Sequence, residues 1–306
     1  MTAPLLGMAV NHYWNAPDEG GRAVMATTTE LGLRMLRRSP VVGSIVLVDG
    51  SPHPDERLAA VCAELDARYL HLGRELGLAE GCNVGWRSLP EPYVGLMAND
   101  VVPFPLTSLD RLLELVQEPE VGLVFPYLTQ CDYPPQLARL SRLGRRTMIT
   151  CEPASMTLNL SVFRRDVLER IGGVDTGYAT GFYDPILVME VRRLGYRAVQ
   201  AGDAWVVHLD RLTKQLGGST LTSTVHAGDR ERFFAAHPQL RADHGIWGMT
   251  FWKWPLATTR GTALLWWLSQ TLPSGRARGL AEQLAVLAEP LLTRYPVRST
   301  PAGRPT

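Results

Sequence analysis

Three stretches of the sequence set polar side chains where apolar runs end. "IVLVDGSP" (45–52) puts Asp49 directly after an apolar run, with Gly50 and Ser51 behind it. "YVGLMANDVV" (93–102) ends its apolar run in Asn99 and Asp100. "GLAEGCNVG" (77–85) gathers Gly77, Asn83 and Gly85 among small residues at the start of a helix-like run. A carboxylate at the tip of a buried strand is either solvated at the sheet edge or held ready for a ligand. At Asp49 the Asp-Gly-Ser sequence is good turn chemistry; the other reading is a carboxylate that accepts hydrogen bonds from a nucleobase or a ribose. The glycines allow either a turn into a helix or close approach of backbone to a ligand. A dinucleotide fold would need GxGxxG after the first strand, and "AVNHYWNAPDEGG" lacks it.

The elements that must position these residues alternate. Strands are expected at "LLGMAV" (5–10), "GSIVLVD" (43–49), "RYLHLG" (68–73), "YVGLMA" (93–98) and "VGLVFPYL" (121–128). Between them run helical periods. In 22–38, Val24, Thr28, Leu31 and Met35 share a face; Pro54 opens a helix that carries Leu58, Val61, Cys62 and Leu65. A short helix is expected near 79–88. Thr107 and Asp110 give a capping-type start to 107–117, with Leu109, Leu113 and Val116 inward. "SMTLNLSVFRRDVLERIG" predicts a strand and a helix, "FYDPILVMEVRRLG" a helix, and "YRAVQ" and "AWVVHL" two short strands. The alternation predicts an α/β fold, an open and mostly parallel sheet flanked by helices. Ligands of such sheets bind outside the carboxyl ends of the strands, which places Asp49 and Asp100 at one crevice.

Composition excludes several classes. The 306 residues are 45% hydrophobic and 20% charged, enough to bury a core. A formal net charge of +1 gives no basic excess for a nucleic-acid partner. Cys62, Cys82, Cys131 and Cys151 form no CxxC pair and no zinc spacing, so a reducing, cytoplasmic setting is expected. No secretory signal pattern opens the chain, and no run of about 18 apolar residues appears.

Read in order, "VDGS", "GLAEGCNVG", the strand ending in "AND", "FRRDVLERIGGVD", "GFYDPILVMEVRRLGYR" and "WVVH" resemble one family over roughly residues 5–210. That family is the inverting nucleotide-sugar glycosyltransferases of GT-A fold, the large family-two group that includes rhamnosyltransferase-like enzymes. The resemblance implies transfer of a sugar from a UDP- or dTDP-sugar to an acceptor hydroxyl on a glycan, lipid-linked glycan or small molecule. It implies that Asp49, with Gly50 and Ser51, contacts the donor nucleotide, and that Gly77, Asn83 and Gly85 wall the donor. By the same resemblance Asn99 and Asp100 match the end of the DxD motif, and Asp100 and His208 hold a divalent metal, Mn2+ or Mg2+. The resemblance also implies that Asp184 is the general base. Four positions depart from the pattern: Ala98 opens the DxD motif, which implies weak or dispensable metal binding, Tyr183 replaces the glutamate before Asp184, Ile186 stands where an acid is often found, and Glu190 where a basic residue is common. Taken alone, Asp184 is also a favourable acid at a helix start beside Pro185, and His208 a strand-end histidine. A catalytically inactive nucleotide-binding partner subunit and a nucleotidyltransferase are the rival expectations.

The expected organisation is a catalytic domain over 1–226, with a nucleotide half to about 126 and an acceptor half over 127–226. A helical Trp-rich extension over 227–295 and a disordered tail over 296–306 follow. Residues 127–153 are read as a long irregular stretch carrying Arg139, Arg142, Arg145 and Arg146. The extension holds Trp247, Trp252, Trp254, Trp266 and Trp267, and a helix over 276–292 with Leu280, Leu284, Leu287 and Leu291 on one face. Packing on the catalytic domain, a homodimer interface, peripheral contact at the inner membrane face and stacking on an acceptor all fit that composition.

Overall fold

The computed structural model describes residues 5–13, 16, 18–74, 76–129, 148–150, 159–178, 182–209, 212, 216 and 227–237. The arginines of 139–146, nearly all of the 227–295 extension with its tryptophans and leucine helix, and the 296–306 tail lie outside them.

The strands are β1 (Leu6–His12), β2 (Val42–Asp49), β3 (Arg68–His71), β4 (Tyr93–Ala98), β5 (Val101–Val102), β6 (Val121–Thr129), β7 (Met148–Thr150), β8 (Leu160–Arg164) and β9 (Arg197–His208). They form one sheet in the order β3-β2-β1-β4-β8-β6-β9-β5, with β7 also on β9. β3, β2, β1 and β4 pair in parallel. β8 runs antiparallel between β4 and β6, and β9 returns parallel to β6. Six of these seven strands therefore point the same way, as the alternating pattern predicts. The short β5 and β7 are antiparallel to β9.

Side chains alternate across this sheet, as the pleat requires. Leu6, Met8, Val10, Ile45 and Leu47 face α1 (Glu19–Arg38), α2 (Glu56–Glu64) and α4 (Thr107–Val116). Ala9, Val46 and Val48 face α3 (Leu78–Arg87), α5 (Arg165–Ile171) and α6 (Tyr183–Arg193). A small aromatic cluster of Phe182, Phe233 and Phe234 joins α7 (Ala227–Ala236) to the start of α6, with Phe182 and Phe233 stacked at 4.4 Å.

Several elements differ in detail from expectation. On α1, Val24 and Leu31 are exposed, whereas Met25, Ala26, Thr28, Thr29, Gly32, Leu33 and Leu36 are buried. The inward stripe mixes the large Met25, Leu33 and Leu36 with small residues, and at Gly32 the helix lies close to the sheet: a Cβ there would meet Met97 and the Val101 carbonyl at 3.1 Å. α2 is capped by Asp55, whose carboxylate accepts from the Leu58 N–H at 2.9 Å, so Pro54 precedes the helix rather than opening it. α4 starts after Leu106 with no side-chain cap, so Thr107 is already helical. "YRAVQ" and "AWVVHL" lie on a single strand, β9. Pro126 pairs with Ala201 but Tyr127 with Trp205, so the three residues between form a bulge that looks like a strand break in the sequence. The stretch 127–153 also contains strand at 127–129 and 148–150.

Candidate functional site

The carboxyl ends of β1, β2 and β4 lie side by side, His12 opposite Asp49 and Asn11 opposite Ala98. This edge carries the polar residues, and the sheet divides them between its faces.

On the α1/α2 face sit His12 and Asp49, which continue the alternation of Val10 and Leu47. Asp49 is fully buried. Its Oδ1 accepts from the Ser51 N–H at 2.8 Å, and its Oδ2 accepts from the Asp55 N–H at 3.3 Å and from the Tyr69 hydroxyl. The Asp55 N–H also reaches the Tyr69 oxygen at 2.8 Å. Burial and the neighbouring Asp49 push the Tyr69 phenol well above its ordinary range, so it stays protonated and donates. Gly50 donates its N–H to the His12 carbonyl at 2.9 Å, and a Cβ there would press on Leu76 at 3.0 Å. Ser51 is buried, and its carbonyl meets His71 Nε2 at 2.8 Å. Asp49, Gly50 and Ser51 thus form one tightly bonded turn, and the carboxylate is the node that shapes it.

On the α3/α6 face, Asn11 donates from Nδ2 to Cys82 Sγ at 3.0 Å, and its Oδ1 is buried without a hydrogen-bond partner. A Cβ on Gly81 would lie 2.4 Å from that oxygen, and one on Gly85 would lie 2.6 Å from the Ala9 Cβ. The glycines therefore serve first to seat α3 on β1. Gly77 begins the helix as an exposed N-cap with open space around it. Asn83 points the other way. Its Oδ1 accepts from the Val174 N–H at 2.8 Å and from Trp86 Nε1 at 3.0 Å, while its Nδ2 donates to the Val174 carbonyl at 2.7 Å. It clamps α3 to the turn after α5, where Gly173 has φ +95° and a Cβ would sit 2.2 Å from the Asn83 oxygen.

Asp184 stands in the first turn of α6, half-buried, one residue inside a helix that begins at Tyr183 after Phe182. Pro185 is thus the third helical residue, not the first. Asp184 acts electrostatically on Cys82 and on Tyr183, which places the carboxylate beside α3. Burial, chiefly, and the Asp184 charge push the Cys82 thiol up to about 12, and the Tyr183 phenol also rises; both stay neutral.

Asp100 and His208 come together from elements 108 positions apart in sequence. Val101 pairs with His208, the Leu209 N–H donates to the Asp100 carbonyl at 2.8 Å, and Asp100 Oδ2 lies 3.6 Å from His208 Nε2. Two cis ligands each about 2.1 Å from a metal would sit about 3.0 Å apart, so at 3.6 Å the pair would have to draw together to share one ion, and a carboxylate oxygen beside an imidazole nitrogen suits Mn2+ better than Mg2+. His208 Nδ1 is buried without a partner, whereas a strongly ligating histidine usually donates its second N–H. Among the described residues no three His, Cys, Asp or Glu side chains converge. The pair can contribute to a cation site but cannot enclose one.

Two residues at this edge escape a search for acidic strand ends, His12 and Tyr69. Asn11-His12 close an apolar run as Asn99-Asp100 do, which is the signal that could have found His12. Nothing local marks Tyr69, whose role arises only from β2–β3 pairing.

A mostly parallel sheet flanked on both faces by helices, with carboxylates along its carboxyl edge, defines an α/β protein similar to GT-A glycosyltransferase structures. The chain is similar to the solved structure of the mannosyltransferase PcManGT from Pyrobaculum calidifontis in complex with GDP-Man and Mn2+, at 17% identity and TM-score 0.54, covering 94% of this chain and 81% of that one. It also aligns with TarS residues 1–349 from S. aureus, at 11% identity, TM-score 0.46 and coverage of 92% and 90%. A mycobacterial protein aligns at 14% identity and TM-score 0.43, covering 70% and 72%. No family model and no curated protein sequence matches the chain. Among the described residues no helix is long and apolar enough to cross a membrane.

Proposed function

We propose that this protein is a glycosyltransferase that moves a sugar from a nucleoside diphosphate donor to an acceptor hydroxyl with inversion. The observation that carries the reading is the meeting of Asp100 and His208 at 3.6 Å on the carboxyl edge of the sheet, in a fold shared with a mannosyltransferase crystallised with GDP-Man and Mn2+. UDP- or dTDP-sugars are the expected donors.

Each residue then has a task. The Asp49–Ser51 turn fixes the floor on which the nucleotide rests, and Asn83 holds α3 in place behind it. Gly77 leaves the start of α3 open, where helical N–H groups face outward and favour negative charge. Asp100 and His208 would hold a divalent ion that, when bound, stabilises charge on the departing diphosphate as a Lewis acid. Asp184 takes the proton from the acceptor hydroxyl as its oxygen bonds the anomeric carbon. The bond from that carbon to the diphosphate oxygen breaks, and the nucleoside diphosphate leaves. A positioned base of this kind contributes on the order of 10²–10⁴-fold.

The test is release of nucleoside diphosphate from a panel of nucleotide sugars with glycan and small-molecule acceptors, the product anomer being read by NMR. Acceptor-dependent release and an inverted anomer are expected. Consumption of no nucleotide sugar would sink the reading, and a retained anomer would sink its inverting part.

A further inference from the structure

His12 takes no part in the functional assignments above, yet it lies at the carboxyl end of β1, with β2 and β4 on either side. The residue is 2% exposed. Nδ1 is 2.9 Å from Thr29 Oγ1, and Thr29 gives its hydroxyl hydrogen to the Met25 carbonyl at 3.0 Å. A hydroxyl has one hydrogen, so Thr29 accepts from His12. Nδ1 therefore carries the ring hydrogen, and Nε2 presents a lone pair.

That lone pair is buried and has no partner. The hydrogens of the adjoining turn and of Tyr69 are already committed: Gly50 N–H to the His12 carbonyl, Ser51 N–H to Asp49, Asp55 N–H to Tyr69 and Asp49, and the Tyr69 hydroxyl to Asp49. Asp49 itself only accepts. Burial lowers the His12 pKa more strongly than the charges of Asp49 and Asp55 raise it, so the ring is neutral near pH 7. Among the described residues this corner holds an unused acceptor and no backbone N–H or phenol hydrogen left uncommitted, at the edge where open α/β sheets bind ligands.

We infer that His12 is a specificity residue of the nucleotide site, its Nε2 accepting one hydrogen bond from an N–H or O–H group of the bound nucleotide. The inference rests on the donor site proposed above. The hydrogen comes either from a base with a ring N–H, as in uracil, thymine or guanine, or from a ribose hydroxyl. A base that presents a ring-nitrogen lone pair, such as cytosine, leaves Nε2 facing another acceptor.

The experiment is calorimetric titration of the intact chain, with Mn2+ present, by UDP, GDP, CDP and the 2′- and 3′-deoxy forms of UDP. The proteins are wild type, His12→Phe and His12→Gln. Loss of one such bond weakens binding about tenfold. His12→Phe should therefore lose about tenfold for the best nucleotide, and His12→Gln, which can place an acceptor near Nε2, should recover much of it. A ring N–H source is indicated if wild type discriminates against CDP and His12→Phe does not. A ribose source is indicated if a deoxy analogue shows the same convergence. If His12→Phe does not fold, His12→Asn replaces it, since Asn can reach Thr29 but not the Nε2 position. A folded variant that binds with wild-type affinity and selectivity overturns the inference while leaving the donor site standing. Absence of nucleoside diphosphate binding by wild type overturns the donor site itself, and this inference with it.

Discussion

Two corners of the same sheet edge are built on opposite principles. At the ends of β1 and β2, Asp49 gathers the Ser51 and Asp55 N–H groups and the Tyr69 hydroxyl, all from the protein. At the ends of β4 and β9, Asp100 and His208 stand 3.6 Å apart, beyond hydrogen-bond distance. The first corner is complete without a ligand, apart from the lone pair of His12. The second has its shape from β5–β9 pairing but leaves its chemistry to an incoming group. A buried, satisfied network is rigid and costly to break, whereas an open pair costs little to lose. One corner should therefore report mutations as stability, and the other as binding.

The largest effect should fall on neither corner. Asp184→Asn keeps the size and the helix start but cannot take a proton, and should lower turnover ~10²–10⁴-fold while donor affinity holds in calorimetry. A matching fall in donor affinity would mean that α6 shapes the nucleotide site as well. Next, Asp49→Ala strands the Ser51 N–H and the Tyr69 hydroxyl in a buried place, while the Asp55 N–H keeps the Tyr69 oxygen, and should cost about 2 kcal/mol or more in urea unfolding. A loss below about 1 kcal/mol would break the distinction between the corners. Gly173→Ala forces a Cβ against Asn83 at a left-handed φ and should cost on the order of 1–3 kcal/mol, with melting as the readout.

His12 supplies a smaller, pH-dependent effect. Its folded pKa lies below the ordinary 6.5, so near and below that value the unfolded chain binds more protons than the folded one. Its contribution is fully present above pH 6.5 and is lost as pH falls toward the folded value, by up to about 1.4 kcal/mol per unit. His12→Phe should flatten that acid limb in unfolding titrations between pH 7.5 and 5, and an unchanged limb would assign it elsewhere. The smallest effect belongs to Asp100→Ala, which should shift apo stability by no more than about 0.5 kcal/mol.

The sheet was legible because its strands are apolar on both faces: the runs at 43–49 and 93–98 coincide with β2 and β4 almost residue for residue. α1 was legible as a helix but not in its orientation, since Gly32, Thr29 and Ala26 turn inward where Val24 and Leu31 would be expected. At Gly32 the close helix–sheet approach selects for size rather than hydropathy. β9 hides behind its own bulge. At the edge, the ends of the runs pointed to Asp49 and Asp100, which lie at the end of β2 and just beyond the end of β4. Asp49 being held by Tyr69, and Asn83 by Val174, depends on partners 20 and 91 positions away, which no local pattern encodes. The pairing of Asp100 with His208 followed from motif order, not from spacing.

The central claim is that Asp100 and His208 hold a divalent ion only together with a nucleoside diphosphate. Unfolding of the intact chain with Mn2+, with nucleoside diphosphate and with both tests it directly. The account predicts little change with Mn2+ alone, and roughly 2.7 kcal/mol of added stability when the nucleotide is present with Mn2+ at about 100 times its Kd. It also predicts that this Mn2+-dependent gain is lost in Asp100→Ala and in His208→Ala. Tight Mn2+ binding to the apo protein, or a coupled gain that survives both substitutions, would contradict it.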